Sequence, residues 1–374
     1  RKAIIKTIVD RNYQNDDAFI EKAFNEFKPE KTNAKSVLDD KVSLFLEEAS
    51  SEKDSIRKIA FFNLYNLSLE ETDFDRITNF IDNHQFKDTD LSGKVDLYKK
   101  LGELKNPKVT TYLETKYKDE NTKTTEQLAI LTALANQNTK ASYQLVLKLM
   151  EFDLPITEDN IEIVELFDNF IENSAESKVL FPEIFQFYGI KEYDDNIIRF
   201  CNELLNRDLG SPKKIAAFQK LILTHTKLEY KRLLNREEKK ASNDYDDYET
   251  AAVDEYYDDE SNPNASLVNY LSLLHQLPKN KNADELISKI KKLDNPEIQL
   301  EILKLEINHN KATKEGIKKA LDNPKTKFRT VLLLQGNDDF DFLEELNNDE
   351  IAESAMYHFD RLKESSKIQF LEKR

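Results

Sequence analysis

Four short amphipathic segments between residues 92 and 150 constrain the fold more than any other feature of the sequence. On the last of them, Tyr143, Val146 and Met150 recur at spacings typical of one helical face. Short polar links separate the segments, and the Asn-Pro step at 106–107 is typical of an N-cap followed by proline at the first helical position. The pattern predicts two consecutive helix pairs, over 93–104 with 107–117 and over 124–135 with 139–150.

The rest of the chain consists of variations of this helical unit. Only 6 glycines and 9 prolines occur in 374 residues, fewer than the turns of a β-sheet protein would need. The link Leu-Asp-Asn-Pro occurs twice, at 293–296 and 321–324. Short links join helices that pack as antiparallel neighbours and stack in order. We therefore expect an all-α protein, an irregular α-solenoid of stacked antiparallel helix pairs.

The apolar positions on these predicted helices define a candidate core. A helix that opens near Ser51 is expected to carry the apolar residues Ile56, Ile59, Ala60 and Leu67. Cys201 lies on an apolar stripe, which favours a small buried hydrophobe over a reactive thiol. The positions predicted to be buried are Tyr112, Leu131, Leu134, Leu147, Ile197, Leu204, Leu271 and Ile302.

Residues 243–262 differ in composition from the rest of the chain. Nine carboxylates and four tyrosines lie there without a lysine or arginine. Because like charges repel and aliphatic residues are scarce, we expect a mobile acidic loop between two helical-repeat sections, 1–242 and 263–374. It is interpreted as a solubilising insertion, as a tether that binds a basic partner, or as a weak calcium site. The candidate partner-binding residues are Asp244, Tyr245, Asp246, Asp247, Tyr248, Asp254, Glu255, Tyr256, Tyr257, Asp258 and Asp259.

The charge balance narrows the classes of partner. Lys and Arg total 55 against 71 Asp and Glu, which gives a net charge of -16. A nucleic-acid-binding protein normally carries a basic surface that neutralises phosphates, so we expect a protein partner with a basic patch and no nucleic acid. No run of 18 apolar residues occurs, so we expect no membrane-spanning segment.

Motifs for catalysis or cofactor binding are missing from the sequence. The five histidines include no close pair, which disfavours a local zinc motif. The acidic turn at 337–341 lacks the order of an EF-hand loop. The sequence contains no P-loop, GxGxxG or GxSxG motif. We therefore predict no catalytic, cofactor or metal residue in this chain.

Two resemblances add to this interpretation. Residues 101–113, 131–145 and 293–303 resemble HEAT-like repeats, in which an apolar helix, a short Asn or Pro link and a second helix follow one another. Residues 143–149, 180–184 and 227–232 resemble the helical C-terminal region of large TraB/GumN-type envelope proteins. In that family the hydrolase chemistry belongs to a separate domain with Gly, Glu and His motifs, and these motifs have no counterpart here.

The sequence therefore predicts a non-catalytic protein-interaction scaffold that uses a helical-repeat surface. The alternative is an accessory helical region of a larger TraB/GumN-type envelope hydrolase whose active site lies outside this chain. Since residue 1 is Arg, we expect the chain to be part of a larger polypeptide or complex. The resemblance implies a location in the cell envelope, periplasmic or at the outer membrane. If the chain does not belong with these envelope proteins, we expect it to be located in the cytoplasm.

Overall fold

The computed structural model describes residues 40–87, 90–157, 161–241, 264–309, 311–334, 352 and 355–356. Every regular element in these ranges is a helix, α-helical or 3-10, and none of the described residues lies in a β-strand. The predicted all-α class is confirmed. The chain divides into two compact units, Arg1–Val109 and Thr110–Arg374.

Unit 1 contains short amphipathic helices that pack in consecutive pairs. Helix α1 packs on α2, and α3 packs on α4. The side chain of Asp40 caps α1 by accepting the backbone N–H of Ser43 at 3.0 Å. The helices are α1 (Lys41–Ala49), α2 (Asp54–Phe62), α3 (Phe74–Asn83) and α4 (Leu91–Leu101), and α5 (Pro107–Tyr117) spans the boundary with unit 2.

Unit 2 holds the longer helices. Its 3-10 segments are Lys178–Leu180, Glu183–Phe187 and Pro212–Phe218. The α-helices are α6 (Thr124–Asn136), α7 (Lys140–Phe152), α8 (Ile161–Glu172), α9 (Ser174–Ser177), α10 (Lys191–Asn206), α11 (Gln219–Ala241), α12 (Ala265–Gln276), α13 (Lys281–Ile290), α14 (Pro296–Asn308), α15 (Lys314–Asp322) and α16 (Lys327–Leu334). The four helices predicted between residues 92 and 150 are α4 to α7, with ends shifted by up to three residues.

Polar side chains in the links start several helices, as the sequence predicted. Asn106 accepts the backbone N–H of Lys108 at 2.9 Å ahead of α5. Asn295 accepts the N–H of Ile298 at 3.0 Å, and proline is the first residue of α14. The second Leu-Asp-Asn-Pro link differs, because α15 ends at Asp322 and α16 begins only at Lys327. A turn therefore separates these two helices.

Helices of unit 2 contact the next helix but one along the chain. Helix α6 packs on α8, α8 on α10, α10 on α12, α12 on α14, and α14 on α16. The intervening helices pack beside this row, since α7 contacts α6, α11 contacts α12 and α13, and α15 contacts α14 and α16. At the end of the row, α14, α15 and α16 share one cluster of buried residues, which are Leu303, Ile307, Ile317, Leu321, Val331 and Leu334.

Six of the eight predicted core positions are buried. Leu131, Leu134, Ile197, Leu204, Leu271 and Ile302 are at most 2% exposed. Tyr112 and Leu147 are only half-buried, so those two predictions are wrong. The ring of Tyr112 lies 5.5 Å from the Lys116 ammonium, which keeps it at the surface. On α7 the predicted positions Tyr143, Val146 and Met150 are buried, and Leu149 lies inward in place of Leu147. Cys201 is fully buried, as predicted.

Helix α2 ends at Phe62, before Leu67, and its buried face includes an ionic side chain. Ile59 is 58% exposed, whereas Arg57 is buried beside Ala60. Arg57 Nε donates to Asp90 Oδ2 at 2.9 Å, and its Nη1 donates to the carbonyl oxygens of Ser51 and Glu52 at 2.8 and 3.0 Å. These bonds satisfy a buried guanidinium, which would otherwise be too costly to remove from water. The helix therefore buries an ionic side chain and leaves an aliphatic one exposed.

Candidate functional site

The predicted partner-binding residues, from Asp244 to Asp259, lie outside the described residues. The two helices that flank them are described and pack on each other: α11 ends at Ala241 and α12 begins at Ala265. Arg236 Nη2, near the end of α11, donates to Asn264 Oδ1 at 2.9 Å. The connection that contains the acidic segment therefore leaves α11 and returns beside the last turns of the same helix.

Helix α11 carries an exposed face that combines apolar and basic side chains. Leu221 is 37% exposed and Leu228 is 48% exposed, and they lie two helical turns apart. Spacings of three, four and seven place the exposed residues on one side of the helix. We define the α11 surface by its exposed residues, which are Lys220, Leu221, Thr224, Lys227, Leu228, Lys231, Arg232 and Asn235.

The opposite face of α11 already forms the core contact of this helix. Ile222, Thr226 and Leu233 are at most 1% exposed, and the Thr226 hydroxyl donates to the carbonyl oxygen of Ile222 at 2.8 Å. The exposed leucines are therefore not needed to anchor α11. Exposed large apolar side chains of this kind mark interaction surfaces when they lie together among polar neighbours.

The α11 surface is electropositive although the whole chain is acidic. Helix α11 contains seven lysines and arginines against three glutamates. Arg232 pairs with Glu229, and burial raises the pKa of that carboxyl more than the arginine lowers it. Within the described residues, Lys220, Lys227 and Lys231 form no ion pair, so their charges remain available to a partner.

Sequence reasoning did not find this surface. Helix α11 begins at Gln219, so Leu221 lies in the same helix as Leu228 and on the same face. Two leucines seven residues apart, each directly preceded by a lysine, are the signal that would have revealed the α11 surface.

A polar cluster joins three helices beside this surface. His225 Nδ1, on α11, lies 3.5 Å from Asp194 Oδ2 on α10 and 3.4 Å from the Tyr270 hydroxyl on α12. The Tyr188 hydroxyl donates to the Tyr270 hydroxyl at 3.4 Å. Gly189, at a φ of 109° that favours glycine, donates its N–H to Asp194 Oδ1 at 2.6 Å. The cluster therefore links the start of α10 to both flanking helices.

Burial dominates the electrostatics of this cluster. Burial raises the pKa of Asp194, and the hydrogen bond from the Gly189 N–H, followed by the nearby His225, offsets only part of this rise. Burial also raises the pKa of both tyrosines, Tyr188 and Tyr270. An Asp–His–Tyr arrangement can exchange a proton. Each contact here also joins two elements of the fold, so the cluster is a polar connection between α11 and its neighbours α10 and α12.

Two further histidines meet at the other end of α12. The rings of His275 and His309 stack with their centroids 6.4 Å apart. Burial, with Lys311 as the next contribution, lowers the pKa of His275 to about 4, so this ring is neutral at physiological pH. No group of three or more potential metal-ligating side chains occurs among the described residues. The acidic turn at 337–341 lies outside them.

Unit 1 has an exposed apolar row of its own. Ile59 is 58% exposed, Phe62 is 78% exposed and Tyr65 is 75% exposed, at intervals of three residues from α2 into the 3-10 segment Leu64–Asn66 that follows it. In the described part of the chain, no helix combines the length and the apolar character that crossing a membrane requires.

Comparison with known proteins identified no relative. No family model, curated protein or solved structure matches the chain. The resemblances to HEAT-like repeats and to the helical region of TraB/GumN-type envelope proteins therefore stay predictions.

Proposed function

We propose that this chain is a non-catalytic scaffold that binds protein partners through the α11 surface. The observation that carries the proposal is the pair of exposed leucines, Leu221 and Leu228, set among lysines with no partner within the described residues. The leucines offer apolar contact area, and the lysines steer an acidic partner towards it. Both features stand on a helix whose other face is packed into unit 2.

The architecture suits such a role. The continuous row of α6, α8, α10, α12, α14 and α16 supports the interpretation of unit 2 as an irregular HEAT-like solenoid. In a solenoid each repeat contacts its neighbours, and the helices beside the row present an extended surface. Helix α11 is one of these flanking helices. The acidic residues from Asp244 to Asp259 then add a second element, of opposite charge, next to the α11 surface in the chain.

The proposal is tested by comparing the partners that variants of the chain retain. A Leu221→Ser/Leu228→Ser variant removes apolar contact from the α11 surface without touching the core. Leu332→Ser is the matched control, because Leu332 is 50% exposed on α16. Proteins cross-linked to each immobilised chain are identified by mass spectrometry, and the strongest partner is purified and titrated against all three chains.

We expect the purified partner to bind the control like the unmodified chain and to bind the double variant at least about tenfold more weakly, a loss near 1.4 kcal/mol. Binding should also weaken with added salt, since screening reduces the attraction between exposed charges. Equal affinity for all three chains would show that the α11 surface is not the binding site.

A further inference from the structure

The α11 surface and the acidic segment next to it are complementary in chemistry. The surface offers three lysines without an ion pair in the described residues and two exposed leucines. Residues 243–262 offer nine carboxylates interleaved with four tyrosines. Carboxylates pair with lysines, and tyrosine rings contact leucines while their hydroxyls stay in water. The α11 surface therefore carries the cations and aliphatic side chains that the carboxylates and tyrosine rings of the acidic segment can contact.

We propose that residues 243–262 bind the α11 surface of the same chain. The proposal rests on the proposed function of that surface as a binding site. The basic partner that the sequence predicts for the acidic segment is then supplied by the chain itself. An external partner of α11 would have to displace this segment.

The length of the connection allows this contact. With a rise of about 1.5 Å per residue, Lys231 lies roughly 15 Å before the end of α11 and Lys220 roughly 32 Å before it. Half of the connection between Ala241 and Ala265 can extend roughly 38 Å, at about 3.3 Å per residue. Since both ends of the connection lie beside the last turns of α11, its middle can reach the whole α11 surface.

Attachment to the same chain favours this contact over binding from solution. A segment tethered close to its site has an effective concentration in the millimolar range. Even weak pairing of exposed charges then suffices to occupy the surface, although each such pair contributes little alone. The contact should accordingly be sensitive to salt and should yield to a partner with a larger apolar contact area.

Zero-length cross-linking of the full chain with a carbodiimide, at high dilution, tests the contact directly. We expect Lys220, Lys227 and Lys231 to become linked to carboxylates of residues 244–260. The exposed lysines Lys318 and Lys325, on α15 and after it, serve as internal controls and should not be linked to that segment. About 0.5 M salt should suppress the specific links because it shortens the range of charge attraction.

A synthetic peptide of residues 243–262 provides the second measurement. It is titrated into the intact chain and into a chain whose own segment is replaced by a Gly/Ser linker, after thermal melting has verified that this chain folds. We expect the replaced chain to bind the peptide at least about tenfold more tightly, because its α11 surface is vacant. Lys227→Glu/Lys231→Glu should remove this binding, and Lys318→Glu/Lys325→Glu should not.

The outcomes separate this proposal from the proposed function. Equal binding of the peptide to both chains would overturn occupation by the chain's own segment and still leave α11 as a surface for acidic partners. Absence of both cross-links and peptide binding would overturn the proposal as well. The proposed function is judged independently, by the affinity of the purified partner for the Leu221→Ser/Leu228→Ser chain. If the replaced chain does not fold, the cross-links in the intact chain decide.

Discussion

Helices α2 and α6 differ in which of their side chains are buried. In α6, ten consecutive residues from 126 to 135 are buried, so this helix has no solvent-facing side over most of its length. In α2, Arg57 is buried through four hydrogen-bond partners while Ile59 and Phe62 are exposed. Helical periodicity identifies a buried face only when a helix has one apolar neighbour. Periodicity does not identify the buried residues of a central helix that is surrounded by others, or of a helix that buries an ion pair.

The largest effect is expected in α6. Leu131 is fully buried in a helix surrounded by α7 and α8, so the neighbours of Leu131→Ala cannot collapse into the space it leaves. The free energy of unfolding should fall by about 2–5 kcal/mol. Chemical denaturation followed by circular dichroism measures this loss. A loss below about 1 kcal/mol would show that α6 is not the packed centre of unit 2.

A smaller loss of stability is expected from Arg57→Met in α2. Methionine retains much of the packing volume, but the Asp90 carboxylate, 1% exposed, loses the guanidinium that pairs with it. The melting temperature should fall. The double variant Arg57→Met/Asp90→Asn should regain part of the loss, because no buried carboxylate remains. If the double variant melts below the single one, the ion pair is not what stabilises this part of unit 1.

The pH dependence of stability contains a contribution from His275. Its pKa is about 4 in the folded state and 6.5 without burial, so its contribution is complete above pH 6.5 and is lost as the pH falls towards 4. The ring keeps some contact with solvent, so we expect a loss of roughly 1–2 kcal/mol over this range.

The variant His275→Phe should flatten the pH profile while preserving the stacking against His309. A residual slope should remain, because burial also lowers the pKa of His309. Denaturation midpoints measured between pH 4 and pH 8 test the prediction. An unchanged profile in the variant would assign the slope to other groups.

The smallest effect is expected at the exposed end of α2. Phe62 is 78% exposed, so Phe62→Ser should change the free energy of unfolding by less than about 0.5 kcal/mol. Denaturation under the conditions used for Leu131→Ala gives the direct comparison. A destabilisation similar to that of Leu131→Ala would mean that Phe62 is buried against another surface in solution.

Local signals made much of the helical architecture predictable. Asn-Pro links, helix caps and apolar spacing act over three to seven residues, and they located the four helices between residues 92 and 150. The inward turn of Arg57 was not predictable in this way, because its partner Asp90 lies 33 residues further along the chain. Tyr112 was misassigned because periodicity does not distinguish a core position from a half-buried ring beside a lysine.

The candidate sites show the same limit. The cluster around His225 joins residues that are 45 and 82 positions apart in its two tyrosine contacts, so no local pattern reveals it. The α11 surface is a local pattern, but it became visible only when the start of the helix was placed at Gln219. The acidic segment was recognised from composition alone, and its predicted role in binding stays a prediction.

The hydrogen bond between Arg236 and Asn264 has a consequence for protein engineering. It brings the two ends of one connection side by side on a packed helix pair. A domain can therefore be inserted into this connection with few constraints on its geometry. Connections with neighbouring ends are the sites at which inserted domains are best tolerated. A fluorescent reporter placed between α11 and α12 would therefore stand next to the α11 surface and respond when a partner binds there.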